Sequence, residues 1–243
     1  MNPIDLTPPI QSPTPPAREP FWDYTDIFVF LLSVAASLVI AMLVGVFVLA
    51  KVSTSLRLLV PQIVWYALSF ASLKLLFWIR YNQPFWRSLG WRPVAFSAAS
   101  GAVLAGPFLA FAVGLLGSAL RTPEISLPFE QMLGSRATIV LLGIVVVVLG
   151  PLAEELAFRG FLMPLLIRSL GVASGILLTG VLFGCMHGYE YKWSWQYMLL
   201  ISLVGCVFGW ARYKTRSTIT SAFMHSTFNL TQFAAFLVQS RSL

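Results

Sequence analysis

The sequence predicts an all-α protein, a polytopic transmembrane helical bundle of about seven spans. Three observations carry that prediction. Of the 243 residues, 58% are hydrophobic and only 10% charged, where a soluble domain carries about 25% charged residues. Mean hydropathy is +0.81. The apolar residues also fall in long uninterrupted runs: the first, Ile27 to Ala50, holds 24 residues without a charge, enough to cross a hydrocarbon core of about 30 Å as a helix.

The elements follow in order. Residues 1 to 20 hold seven of the fifteen prolines and no periodicity, so residues 1–24 are expected to be a disordered, solvated tail. It lacks the basic start of a secretory signal peptide. Phe21-Trp22-Asp23-Tyr24 at its end reads as an interfacial aromatic anchor. Residues 25–137 form an N-terminal transmembrane region with spans at Ile27–Ala50, Leu58–Ile79 and Ala95–Leu120. Pro61 is expected to break the second span, and Lys74 to snorkel to the headgroups. Arg80 to Pro93 mixes aromatics with arginines and reads as an amphipathic interfacial segment. Residues 138–238 form the core, with spans at Thr138–Arg168, Gly171–His187, Gln196–Ala211 and Thr218–Val238. A kink or break is expected at Gly150-Pro151. Gly171, Gly175, Gly180 and Gly184 recur along the fifth span, a spacing that lets helices approach closely in lipid, so this helix is expected inside the bundle.

The net charge of +7 does not imply nucleic acid. The Lys and Arg residues lie mostly in short gaps between spans, where they set topology and contact lipid headgroups. Eight fall on the N-terminal side and six on the other, which favours a cytoplasmic N-terminus. Cys185 and Cys206 lie in apolar segments, so neither a structural disulfide nor a thiolate metal site is expected.

Function is carried by Gly150-Pro151-Leu152-Ala153-Glu154-Glu155-Leu156-Ala157-Phe158-Arg159-Gly160. An ionisable group at bilayer depth costs about 2.5 to 3.5 kcal/mol on insertion scales, so three together face the bundle interior and mark either function or a structural ion cluster. Glu155 and Arg159 are four apart and share a helix face, while Glu154 is rotated about 100° away. One carboxylate is thereby paired and one left free. A free carboxylate in a cavity of low dielectric is the type of group that accepts a proton from water near neutral pH.

The chain has two histidines, and both lie in spans. His187 ends Phe183-Gly184-Cys185-Met186-His187; His225 lies four residues before Asn229 on one helix face, with Ser221, Thr218 and Gln232 extending a polar stripe. Glu154 and His187 each lie about 24 to 26 Å along a helix from the turn near Leu170, so in a hairpin they are level. His225 is only about 12 to 14 Å past its own turn, and meets them if helices tilt or extend beyond the membrane.

Glu-Glu-x-x-x-Arg at 154–159, Phe-x-x-x-His at 183–187 and His-x-x-x-Asn at 225–229, in that order on successive apolar helices, resemble the CPBP family of intramembrane proteases. That family includes the type II CAAX prenyl endopeptidases and bacterial proteins linked to bacteriocin processing and immunity. The resemblance implies a multi-pass protein of a bacterial cytoplasmic membrane, a conical intramembrane cavity, and hydrolysis of a peptide bond in a membrane-presented protein or peptide. By that resemblance Glu154 with His187 activates a water, His225 with Asn229 stabilises the tetrahedral oxyanion, and Glu155 with Arg159 gives structural and electrostatic support. Two histidines and a glutamate can also hold zinc with water in the fourth position. Yet there is no His-Glu-x-x-His helix, and a ligating Glu154 is no longer a free base, so a mechanism without cofactor is favoured. The alternatives are a non-catalytic immunity or scaffold protein using the same cavity for binding, and a small transporter. No inverted repeat or pair of broken helices supports the latter.

Overall fold

The computed structural model describes residues 19–49, 51–125 and 135–240. Eight helices follow one another: α1 (Tyr24–Val48), α2 (Thr54–Tyr81), the short α3 (Phe85–Ser88), α4 (Phe96–Ala119), α5 (Arg136–Leu170), α6 (Val172–Met186), α7 (Trp195–Thr215) and α8 (Thr218–Ser240). No strand occurs among the described residues. Residues 1–18 of the expected tail lie outside the described residues.

Four helices are long and apolar enough to cross a bilayer by length and composition, namely α1, Leu56–Tyr81 of α2, α4 and α5. The expected seven also include α6, apolar but only 15 residues long, and α7 and α8, which are not among these four. These last two bury their polar and small side chains in the interior, among them Gly205 and Gly209 on α7 and Ser221 and His225 on α8. Large apolar side chains stand exposed on the outer faces, such as Phe47, Phe96, Phe108 and Phe111, as a lipid-facing surface requires.

The start of α1 corrects the sequence reading. Trp22 is not an interfacial anchor in a disordered tail. It is 2% exposed, its Nε1–H donates to the Phe161 carbonyl at 3.0 Å, and its ring stacks on Phe77 at 5.3 Å. Burial requires a partner for the indole N–H, and a distant carbonyl on α5 supplies it. Asp23 then caps α1, accepting from the Thr25 and Asp26 N–H groups, while Asp26 accepts from the Asp23 N–H, a reciprocal capping box. Asp26 is fully buried and also accepts from Arg80 Nη1 and Tyr81 Oη, both at 2.6 Å, which joins the ends of α1 and α2.

Pro61 does not break α2, which runs continuously from Thr54 to Tyr81. Its ring instead fits against Gly45 of α1, where a Cβ would lie 3.1 Å from Pro61 Cγ. Nor does Gly150-Pro151 interrupt α5: the helix widens on either side into π-helical turns, Val145–Leu149 and Leu156–Leu162. A π turn relieves a missing proline N–H without ending the helix, and such turns concentrate at functional sites. Lys74 is exposed.

The small-residue helix α6 is buried on one face only. Gly175, Thr179, Gly180, Phe183 and Gly184 are buried, while Leu177, Val181 and Leu182 face outward. The inward face packs on α7 so closely that a Cβ on Gly180 would lie 2.4 Å from Cys206 Sγ. Lipid provides no hydrophobic force between helices, so this close backbone contact is what holds the pair.

Candidate active site

The double glutamate sits on the short α-helical stretch Gly150–Glu155 between the two π turns of α5. The two carboxylates have separate environments, as their 100° offset requires. Glu155 is 0% exposed, and its Oε1 accepts from Arg159 Nη1 at 2.8 Å and faces His225 Nδ1 at 3.0 Å. Arg159, also fully buried, donates from Nη2 to the Gly205 carbonyl of α7 at 2.8 Å. Its guanidinium lies over the Phe183 ring at 4.5 Å and the Phe208 ring at 5.4 Å. Cation–π contact suits a group whose Nε finds no hydrogen-bond partner among the described residues. The pair therefore ties α5 to α6, α7 and α8 at one point.

Glu154 keeps partial access, with its side chain 21% exposed. Glu154, His187, His225 and Asn229 all line one cavity of about 1020 Å³. His225 bridges the two glutamates: Nδ1 faces Glu155, and Nε2 lies 3.7 Å from Glu154 Oε2. Its ring stacks on Phe208 at 4.6 Å, which fixes the ring plane. With Nδ1–H donated to the buried carboxylate, Nε2 is the nitrogen directed at Glu154.

His187 closes α6, and its Nδ1 lies 2.9 Å from the Phe183 carbonyl one turn earlier. A carbonyl only accepts, so Nδ1 carries the proton and Nε2 of the neutral ring keeps its lone pair. Asn229 donates from Nδ2 to the Val146 carbonyl at 2.9 Å. Val146 belongs to the first π turn of α5. That bond uses one of the two amide hydrogens and fixes the amide plane, leaving the second hydrogen for another acceptor.

Among the cavity residues that sequence reasoning did not select, three bear on the chemistry. Gln62 and Tyr66, four apart on α2, line the same wall, and Gln62 Nε2 donates to Tyr66 Oη at 2.7 Å. Their spacing on a lipid-like helix is the signal that points to them. Glu190, in the turn after His187, completes the rim. Burial pushes its carboxyl above the usual range and Glu154 adds to the rise, while His187 opposes it.

Among the described residues no three His, Cys, Asp or Glu side chains are grouped so as to hold a metal ion. No step below uses a metal.

Residues 136–231 match the family described as type II CAAX prenyl endopeptidase, Rce1-like. The matched stretch contains all seven specified residues of the motifs at 154–159, 183–187 and 225–229. No curated protein matches the chain, and no solved structure does.

Proposed function

Taking as premise that residues 136–231 form an Rce1-like domain, which at the family level is that of a CAAX-type intramembrane protease, we propose that the chain is an active membrane endopeptidase. It hydrolyses a peptide bond in a substrate presented from the bilayer, a lipidated CAAX-type terminus or a secreted peptide, in the cytoplasmic membrane of a bacterium. The observation that supports this most is the lining of one cavity by Glu154, His187, His225 and Asn229, with Glu155–Arg159 buried beside it.

In this reading Glu154 is the general base and His187, through its free Nε2, holds the attacking water. The water O–H bond breaks toward Glu154 as its oxygen bonds to the peptide carbon, and the carbonyl oxygen gains the negative charge. In its imidazolium form His225 keeps Nδ1–H on Glu155 and offers Nε2–H to that oxygen, together with the second Asn229 amide hydrogen. Donors preorganised in a water-poor site typically contribute about 2.7 to 4 kcal/mol each to the transition state. The C–N bond then breaks, and Glu154 returns its proton to the leaving amine. Glu155 keeps His225 in orientation, and Arg159 neutralises Glu155.

Purified protein is incubated with membrane-anchored peptides carrying prenylated and unmodified C-termini, and products are read by mass spectrometry. Cleavage by the native chain, with a loss of at least about 10²-fold in Glu154→Gln and His187→Gln, supports the proposal. Cleavage at the native rate by Glu154→Gln removes Glu154 from the mechanism.

A further inference from the structure

A second concavity lies at the other end of the bundle, where α2, α5 and α7 end and α1 begins. Its volume is about 820 Å³, and Arg87, Arg92, Arg168, Arg212, Lys214 and Arg216 line it against one carboxylate, Glu19. None of the six cations forms an ion pair among the described residues. Asp23 and Asp26, at the start of α1, are both engaged by Arg80. Basic residues scattered at helix ends are explained by membrane topology alone. Six around one concavity repel one another, and here dedicated polar contacts hold two of them, Arg168 and Arg212, in place.

Arg212 Nε donates to Thr218 Oγ1 at 2.9 Å, and that hydroxyl donates to the Leu89 carbonyl at 2.6 Å. The Thr218 N–H donates to the Gly90 carbonyl at 2.9 Å, Ser217 Oγ to the Arg92 carbonyl, and Arg168 Nη1 to the Pro20 carbonyl. The loop after α3 is thus locked to the α7–α8 turn. Gly90 has φ +72°, and a Cβ there would lie 2.2 Å from Arg212 Nη2, so the guanidinium rests against a backbone that only glycine leaves open. An arginine fixed through Nε presents its remaining N–H fork, which matches the oxygens of a phosphate.

We propose that this pocket binds an anionic phosphate group. Its place at the helix ends is the level at which an acidic lipid presents its headgroup phosphate, and a soluble phosphate offers the same chemistry from the aqueous side. The site is separate from the Glu154 cavity and shares no lining residue with it.

The test uses the full chain in detergent, read by native mass spectrometry against phosphatidylglycerol, against phosphatidylcholine and, separately, against inorganic phosphate. The native chain retains one phosphatidylglycerol or phosphate adduct and no phosphatidylcholine in excess of it. Arg212→Gln and Lys214→Gln each weaken that binding about five- to tenfold, whereas Lys51→Gln, a charge-matched change at the opposite end, leaves it unchanged. Lys214 is exposed, so its variant reads binding even if Arg212→Gln folds poorly. Retention of the lipid alone assigns the phosphate to a headgroup; retention of inorganic phosphate alone assigns it to a soluble ligand. Equal binding in the native chain and Lys214→Gln, equal loss in Lys51→Gln, or no anion bound overturns the proposal.

Discussion

Replacing Arg159 by methionine removes a buried cation while filling most of its volume, so the effect isolates the polar contacts. The losses are the 2.8 Å bond to Glu155, the 2.8 Å bond to the Gly205 carbonyl, and the cation–π contacts over Phe183 at 4.5 Å and Phe208 at 5.4 Å. Glu155 is left with the His225 Nδ1–H as a hydrogen-bond donor but no guanidinium to balance its charge. Breaking one side of a buried pair costs about 3 to 5 kcal/mol, because the surviving charge is uncompensated, which is about two to four powers of ten in the folding equilibrium. Glu155→Gln on top of Arg159→Met removes the orphan charge and still offers an amide oxygen to His225 Nδ1. The double variant should therefore regain more than half of the lost stability, leaving mainly the lost bond to the Gly205 carbonyl at about 1 kcal/mol. Chemical denaturation of the four proteins in one detergent closes the thermodynamic cycle. A loss below about 1 kcal/mol in Arg159→Met, or a double variant no more stable than it, refutes the claim that this pair organises the site.

Gly180→Val drives a branched side chain into Cys206 and the Ser202 carbonyl, and should cost about 1 to 3 kcal/mol or more; unchanged thermal unfolding would show that α6 and α7 do not pack as described. Burial pushes the Asp23 carboxyl up, but the Thr25 and Asp26 backbone N–H groups outweigh it and hold the group below its usual range. A depressed carboxylate contributes stability that is fully present above its ordinary value near 4 and is lost as pH falls through the lower folded value. Asp23→Ala should therefore lower stability by about 0.5 to 1 kcal/mol at pH 7 and flatten its decline below pH 4; a mutational effect that grows with acidity would contradict this. Inductively coupled plasma analysis of purified protein should find well under one zinc per chain, and about one zinc that disappears in His187→Gln would overturn the metal-free reading.

Long uncharged runs located the helices because burying a peptide backbone in lipid leaves few alternatives to a helix. The local geometry of the site was legible for the same reason: in a membrane segment every charge stands out, and a spacing of four joins Glu155 to Arg159. What escaped depended on contacts between distant parts of the chain. Nothing near Trp22 announces that the Phe161 carbonyl will receive its N–H, and Asp26 finds Arg80 and Tyr81 more than fifty residues later. The prolines did not end their helices. Pro61 is accommodated by Gly45 on another helix, and Pro151 by the widening of its own helix into π turns. The cations of the basic pocket come from three separate gaps between helices, each of which alone reads as a topology signal.

The central claim is that Glu154 makes this chain a protease. The most direct measurement compares the termini of membrane and secreted proteins in cells expressing the native chain and in cells expressing Glu154→Gln at matched levels. The account predicts new termini with the native chain alone, and those termini identify the substrates. Identical termini in both, with the native phenotype retained by Glu154→Gln, would contradict it and leave a scaffold or immunity protein that uses the cavity for binding.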